Sequence, residues 1–181
     1  NGRFEIAGNL LRKEAENFTK RFLPDRYRLG EFGQLKPLAI MLKEAVLFSS
    51  RSGLDPKVFQ DLESHTKFIL NQSSHDSYDV PLFRSELENC LKTLKEVQKI
   101  RNEPFLQKGE QIEFELTTAD GADTYKFEIK LEDDFRLIKE PGKDSVLSVG
   151  MVNYWVYKNG VKTTRELQHK PDTLKKMYNH C

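Results

Sequence analysis

The sequence predicts an α+β fold in which an N-terminal four-helix bundle precedes a small antiparallel β-meander and a short C-terminal helix. Up to about residue 100, apolar residues recur at the three- and four-residue spacing of amphipathic helices. From Gly109 onward they alternate with polar residues, as in half-buried strands. The Asn159-Gly160 pair is a strong signal for a two-residue hairpin turn. We therefore expect a helical domain over 1–108 and a sheet domain over 109–181.

The helices follow from their apolar stripes and their end signals. The first is expected over about 3–23, where Pro24 stops it, and a glycine-containing loop should follow. The second should begin at Pro37, a favourable first-turn residue, and end in the polar run 49–53. The third is expected over about 55–70, with an aspartate and a proline at its start. The fourth should cover 81–100.

The strands follow from strict alternation of polar and apolar residues. They are expected over 112–116, 125–131, 135–138 and 146–157. A type I′ turn at Asn159-Gly160 should pair 155–158 with 161–164. A short helix after Pro171 should close the chain with an apolar face of Leu174, Met177 and Tyr178.

Composition limits the class of protein. The chain has 181 residues, of which 38% are hydrophobic and 31% charged, and it contains no apolar run near the roughly 20 residues that span a bilayer. No signal peptide is recognisable. The two cysteines, Cys90 and Cys181, form neither a disulfide framework nor a metal-ligand pattern, so a cytoplasmic location is expected. The opening Asn1-Gly2 suggests a piece of a longer polypeptide.

The net charge of +1 excludes a basic field over the whole chain, but the first helix region is locally basic. Arg12 and Lys13 belong to this basic region, and Arg84 lies near the start of the expected fourth helix. Such side chains could contact RNA phosphates. A solvated helix face explains the same pattern.

Asn71 and His75 form the most informative pair in the sequence. Four residues apart, they share one face if the third helix continues that far. A histidine changes protonation near neutral pH, so His75 could act as a general acid or base on an RNA 2′-hydroxyl, with Asn71 orienting the ring or contacting the phosphate. The alternative is a helix-capping role for both residues.

Other patterns favour structure over chemistry. The remaining histidines do not have metal-ligand spacing, so no metal is expected, and the absence of a P-loop excludes nucleotide hydrolysis by this piece alone. The acidic run 132–134 is interpreted as a solvated turn rather than a cation site. Alternation places Trp155 and Tyr157 on one sheet face and Tyr154 on the other, which favours sheet packing over a platform for bases.

The segment 70–75 (Leu-Asn-Gln-Ser-Ser-His), within a four-helix arrangement, resembles a degenerate HEPN motif. The opening segment 7–16 and the segment 81–87 resemble the HEPN-like domains of SMC-like and anticodon-nuclease-like ATPases of bacterial anti-phage defence systems. The resemblance covers about residues 5–101. That family includes metal-independent ribonucleases and inactive RNA-binding or scaffold members. The resemblance implies no cofactor, and if the chain is an active ribonuclease it implies that His75 and Asn71 are catalytic. The family's motif arginine is replaced by Leu70.

Three functional hypotheses follow from the residues and the resemblance. In the first, the chain is an effector that cleaves tRNA or another RNA loop, with two sites brought together in a homodimer. In the second, it is a catalytically inactive module that binds RNA or docks on the ATPase portion of the same or a partner polypeptide. In the third, it is a dimerisation domain without a nucleic-acid contact. None of the three requires a membrane.

Overall fold

The structure is a computed structural model that describes residues 2–66, 84–163 and 167–169. The chain divides into two compact units. The first comprises Asn1–Asn102 and Ile138–Val146, and the second comprises Glu103–Leu137 and Leu147–Cys181. Each unit is therefore built from two separate stretches of the chain.

Within the described residues, the helices all precede the strands. They are α1 (Gly2–Phe22), α2 (Asp25–Arg28), α3 (Leu38–Arg51), α4 (Lys57–His65) and α5 (Arg84–Gln98). The end of α1 just before Pro24 agrees with the helix end predicted from the sequence. The short α2 lies in the segment expected to be a loop, and its buried Tyr27 packs on Phe48 with ring centroids 5.1 Å apart.

Aromatic packing holds the helices of the first unit together. Phe22 of α1 contacts Phe48 of α3 edge-on, with centroids 5.5 Å apart, and Phe59 of α4 at 4.6 Å. All three side chains are almost completely buried. Aromatic pairs at these distances add to the stabilisation from apolar burial, so these rings fix the relative positions of α1, α3 and α4.

The strands form two sheets. The first has the order β1-β4-β5 and consists of Arg101–Leu106, Phe135–Lys139 and Val146–Leu147. The second has the order β2-β3-β6-β7 and consists of Gln111–Thr117, Thr124–Leu131, Val152–Lys158 and Val161–Lys162. A short β8 (Leu167–His169) also pairs antiparallel with β6.

The predicted architecture of a four-helix bundle followed by one small meander is wrong. The structure is α+β with five helices in the described residues and two antiparallel sheets. The segment 101–106 forms a strand although its sequence does not alternate and contains Pro104. As an outer strand of its sheet, β1 tolerates a residue that cannot donate a ladder hydrogen bond.

The single strand expected over 146–157 is also divided in two. Ser148 leaves β5 to bond Arg136, donating its N–H to the Arg136 carbonyl at 2.8 Å and accepting from the Arg136 N–H through its hydroxyl at 2.9 Å. Gly150 then packs directly against the ring of Phe135. These contacts interrupt the regular alternation between β5 and β6.

The hairpin at Asn159-Gly160 is confirmed. Both residues have positive φ, 49° and 80°, as a type I′ turn requires. Lys158 pairs with Val161 and Tyr157 with Lys162. The expected helix after Pro171 lies outside the described residues. No helix in the described ranges is long and apolar enough to cross a bilayer.

Candidate anion-binding pocket

A shallow, open depression in the first unit gathers more positive than negative charge. Its volume is about 340 Å³. The lining residues come from the end of α5, the start of β1 and the end of β4 with the turn that follows it. They are Lys99, Arg101, Lys139, Glu140, Pro141 and Gly142. The depression therefore presents three cations and one carboxylate.

Two of the cations, Lys99 and Arg101, are positioned by the buried residue between them. Ile100, only 7% exposed, lies between Lys99 and Arg101 and holds the α5–β1 junction in the core. The flanking basic side chains are consequently directed to the surface, and both residues are exposed. Lys139, the last residue of β4, is exposed as well.

A turn closes the other side of the depression. Lys143 donates its N–H to the carbonyl of Glu140 at 3.2 Å, which defines a four-residue turn. Pro141 fits the second position because its φ is fixed, and Gly142 fits the third because its φ is +74°. The sequence Glu-Pro-Gly-Lys thus specifies a type II turn at the end of β4.

The carboxylate of Glu140 is already engaged by groups of the same unit. It is 9% exposed as a residue, accepts from Lys143 Nζ at 2.6 Å, and accepts the backbone N–H of Asp55 at 3.3 Å. The hydrogen bond from Lys143 to Glu140 raises the pKa of that lysine. Because Glu140 is neutralised in this way, the three lining cations retain a net attraction for an anion.

One lining cation has a weak partner of its own. Lys99 Nζ lies 2.7 Å from Glu96 Oε1, and the two side chains are 55% and 49% exposed. Exposed pairs of this kind contribute little stability, so an incoming anion can displace the glutamate at low cost.

The residues selected from the sequence do not line this pocket. Arg12 is half-buried and Lys13 exposed on α1. Arg84, at the start of α5, donates through Nε to Glu88 at 2.7 Å in a fully exposed pair. Asn71 and His75 lie outside the described residues.

His65 is a structural histidine at the end of α4. Its Nε2 lies 3.2 Å from the hydroxyl of Thr93 on α5. Burial lowers the pKa of His65, and the smaller effect of Asp61 raises it. The imidazole therefore links α4 to α5, and burial favours its neutral form. No group of three potential metal ligands occurs in the part of the chain that the structure describes.

The acidic run supports the β-rich unit. Glu132 accepts from the side-chain amide of Asn153 at 2.9 Å, Asp133 from the N–H of Met151 at 2.7 Å, and Asp134 from the N–H of Lys108 at 2.9 Å. Each carboxylate fixes a different segment. The turn is therefore a structural junction, and it is more fully bonded than the solvated turn expected from sequence.

The aromatic residues of β6 divide between the sheet faces as the alternation predicts. Trp155 pairs with Glu128 across the strands, whereas Tyr154 pairs with Ile129 and packs against the apolar cluster of Ile129, Leu131, Phe135 and Val152. Tyr157 donates its hydroxyl to Glu128 at 3.0 Å, and Lys162 lies over the Trp155 ring at 5.4 Å. The polar-face rings thus already have partners within the sheet.

Comparison of the chain with family models, with curated proteins and with solved structures gives no match. The pocket must therefore be interpreted from its own residues. Two sequence signals could have located it: the Pro-Gly turn at 141–142, and basic residues on both sides of an apolar Ile100. Neither signal reveals that β1 and β4 are neighbours in one sheet.

Proposed function

We propose that this chain is an RNA-binding module and that the depression around Arg101 and Lys139 binds the phosphate backbone. The observation that carries the proposal is the collection of three exposed cations around a site whose lining carboxylate, Glu140, is bound to Lys143 and to a backbone N–H. The open shape suits a chain of phosphates better than an enclosed small molecule.

Arg101 and Lys139 have complementary properties as phosphate ligands. A guanidinium can bond two phosphate oxygens at once, whereas an ammonium acts as a compact point charge. Their positions at the ends of neighbouring strands give both backbones a fixed location. Strand ends hold side chains more rigidly than a long loop does, which reduces the entropy lost on binding.

Charge reversal tests this assignment. We expect Arg101→Glu and Lys139→Glu each to weaken binding of a labelled single-stranded RNA on the order of tenfold, since each change replaces attraction by repulsion. Fluorescence anisotropy at fixed salt measures the effect. Lys43→Glu is the matched control, because Lys43 is exposed on α3 and does not line the pocket. Equal losses in all three variants would show a non-specific charge effect and refute the pocket.

A second candidate is the metal-independent ribonuclease, which the spacing of Asn71 and His75 and the HEPN resemblance support. In this chemistry the 2′-hydroxyl oxygen attacks the adjacent phosphorus and the P–O5′ bond breaks. His75 would either accept the proton of the 2′-hydroxyl or donate one to the leaving 5′-oxygen, with water handling the other proton. Cleavage of tRNA in the presence of a chelator, lost in His75→Ala while RNA binding persists, would establish it. If RNA is bound but remains intact, the ribonuclease hypothesis fails and only the binding function remains.

The wider setting is part of the same proposal. We place the module in the bacterial cytoplasm, as a defence-associated effector or regulator attached to the ATPase portion of the same or a partner polypeptide, with a homodimer as its working form. The free, buried Cys90 fits a reducing compartment. Sedimentation of the full chain with and without RNA tests the dimer.

A further inference from the structure

The second unit contains an acidic strand with one unpaired side. β2 pairs with β3 along all seven of its residues, from Gln111 opposite Lys130 to Thr117 opposite Thr124. In the part of the chain that the structure describes, no strand pairs with the other side of β2. That side therefore offers backbone donors and acceptors in the geometry that an added strand uses.

The pairing pattern identifies which groups face outward. Thr118 donates its N–H to the carbonyl of Asp123 at 2.9 Å, and Leu131 donates to Glu110 at 3.0 Å. Bonded and non-bonded pairs alternate in an antiparallel ladder, so the even-numbered residues of β2 bond β3. The backbone groups of Glu113 and Glu115 consequently point away from the sheet.

The side chains of the same strand define what can pair with it. Glu113 and Glu115 lie on the polar face, and both are exposed. They share one basic neighbour on β3, because Lys126 lies 3.1 Å from the Glu113 carboxylate and is the cross-strand partner of Glu115. Phe114 lies on the apolar face, stacked on Phe127 with ring centroids 4.8 Å apart, and is half-buried. Leu116, further along this face, is 41% exposed.

We propose that the outer edge of β2 binds an extended polypeptide segment in which basic and apolar residues alternate. Added residues opposite Glu113 and Glu115 would place their side chains beside two carboxylates, where lysine or arginine is favourable. The intervening residues would cover Phe114 and Leu116. The charge pattern of the strand thus selects the partner, while the backbone supplies hydrogen bonds common to any sequence.

The same charges disfavour a second copy of this chain as the occupant. Two β2 strands paired antiparallel about Phe114 would place Glu113 of each copy opposite Glu115 of the other. Like charges directly opposite destabilise a sheet, so four carboxylates oppose this dimer at neutral pH. A basic partner meets no such repulsion.

A synthetic peptide of alternating lysine and valine, with blocked ends and the seven-residue length of β2, is a direct probe. Fluorescence anisotropy with the full chain should show saturable binding, and the peptide with glutamate in place of lysine should bind on the order of tenfold more weakly or not at all. Equal binding of both peptides would overturn the proposal.

Variants of one residue separate the backbone contribution from the charge. Glu115→Gln removes only the carboxylate and should weaken the lysine peptide several-fold. Glu115→Pro also removes an N–H that points away from β3, so it should abolish binding while the sheet persists. Glu14→Lys, an exposed change on α1, is the control and should leave affinity within about twofold.

Amide exchange gives a second readout that does not depend on the variants. Adding the lysine peptide should slow exchange of the Glu113 and Glu115 amides and leave Phe114, already bonded to β3, unchanged. Unchanged exchange at Glu113 and Glu115, or strong protection there before the peptide is added, would refute the proposal. Glu115→Pro with undiminished affinity would refute it too.

Discussion

Glu140 shows how one buried carboxylate can determine the local charge of a surface. Its two partners, Lys143 and the Asp55 N–H, belong to the same unit and lie on different segments. The carboxylate therefore stabilises the turn and also leaves the neighbouring cations available to an anion.

We expect Glu140→Gln to lower the free energy of unfolding by about 1–3 kcal/mol, because the buried hydrogen bonds lose their charged acceptor. Urea unfolding followed by circular dichroism measures this. Lys143→Gln is the informative comparison, since Lys143 is 58% exposed and its loss should cost about 1 kcal/mol or less. If Lys143→Gln lowers the free energy of unfolding more than Glu140→Gln does, Glu140 is not the residue that stabilises the turn.

His65 makes stability depend on pH. Because burial lowers its pKa in the folded chain, the folded state binds fewer protons than the unfolded state over this range. The free energy of unfolding is therefore highest above the pKa of about 6.5 that His65 has in the unfolded chain. It decreases as the pH falls from there through the lower pKa of His65 in the folded chain. The melting temperature should drop between pH 7 and pH 5, and His65→Gln should reduce that drop. An unchanged pH dependence would mean that other groups cause it.

Among the elements, the interruption between β5 and β6 has the clearest physical cause. A Cβ at Gly150 would lie 2.5 Å from Cζ of Phe135, which is 1% exposed and part of the apolar cluster of the sheet. A side chain larger than hydrogen would overlap the ring, and moving a buried ring aside disturbs the packing around it. The glycine therefore serves close packing, and its φ is not in the left-handed region.

Gly150→Ala should cost about 1–3 kcal/mol of unfolding free energy through this overlap. Phe135→Leu alone should also be destabilising, because it leaves a cavity. The double variant should be less destabilised than the sum of the two, since the smaller side chain relieves the overlap. Thermal or urea unfolding of the three variants checks the coupling. Additive losses would show that the methyl group is accommodated elsewhere.

For the whole molecule, the net charge of +1 is too small to attract RNA by itself, so binding depends on how basic residues cluster on the surface. If the three lining cations are the phosphate ligands, the logarithm of the binding constant should fall with the logarithm of salt concentration with a slope of about −2. Titrations at several salt concentrations measure this slope. A value much steeper than −2 would require a second basic surface, such as the one around Arg12 and Lys13.

The sequence predicts local features of this fold better than their long-range arrangement. The Asn159-Gly160 turn is predictable because both residues have strong conformational preferences, and β2 and β3 because apolar residues alternate strictly. The pairing of β1 with β4 is not predictable in this way. It joins segments about thirty residues apart, and β1 contains Pro104 without an alternating pattern.

The candidate site reflects the same limit. Arg101 and Lys139 are ordinary surface cations in the sequence, separated by 37 other residues. Only the sheet makes them neighbours. Arg84, by contrast, is a basic residue that the sequence offers as a phosphate ligand, and in the structure it has a local partner, Glu88.

The amide of Asn159 connects the two loops at one end of the larger sheet. Its Oδ1 accepts the Thr124 N–H at 2.8 Å, and its Nδ2 donates to Asp123 at 2.9 Å. Asparagine followed by glycine is the dipeptide most prone to spontaneous deamidation, and the reaction requires this amide to leave both partners. Deamidation of Asn159 in stored protein should consequently be slow while the sheet is intact and fast once the sheet unfolds. The product would set a new carboxylate against Asp123.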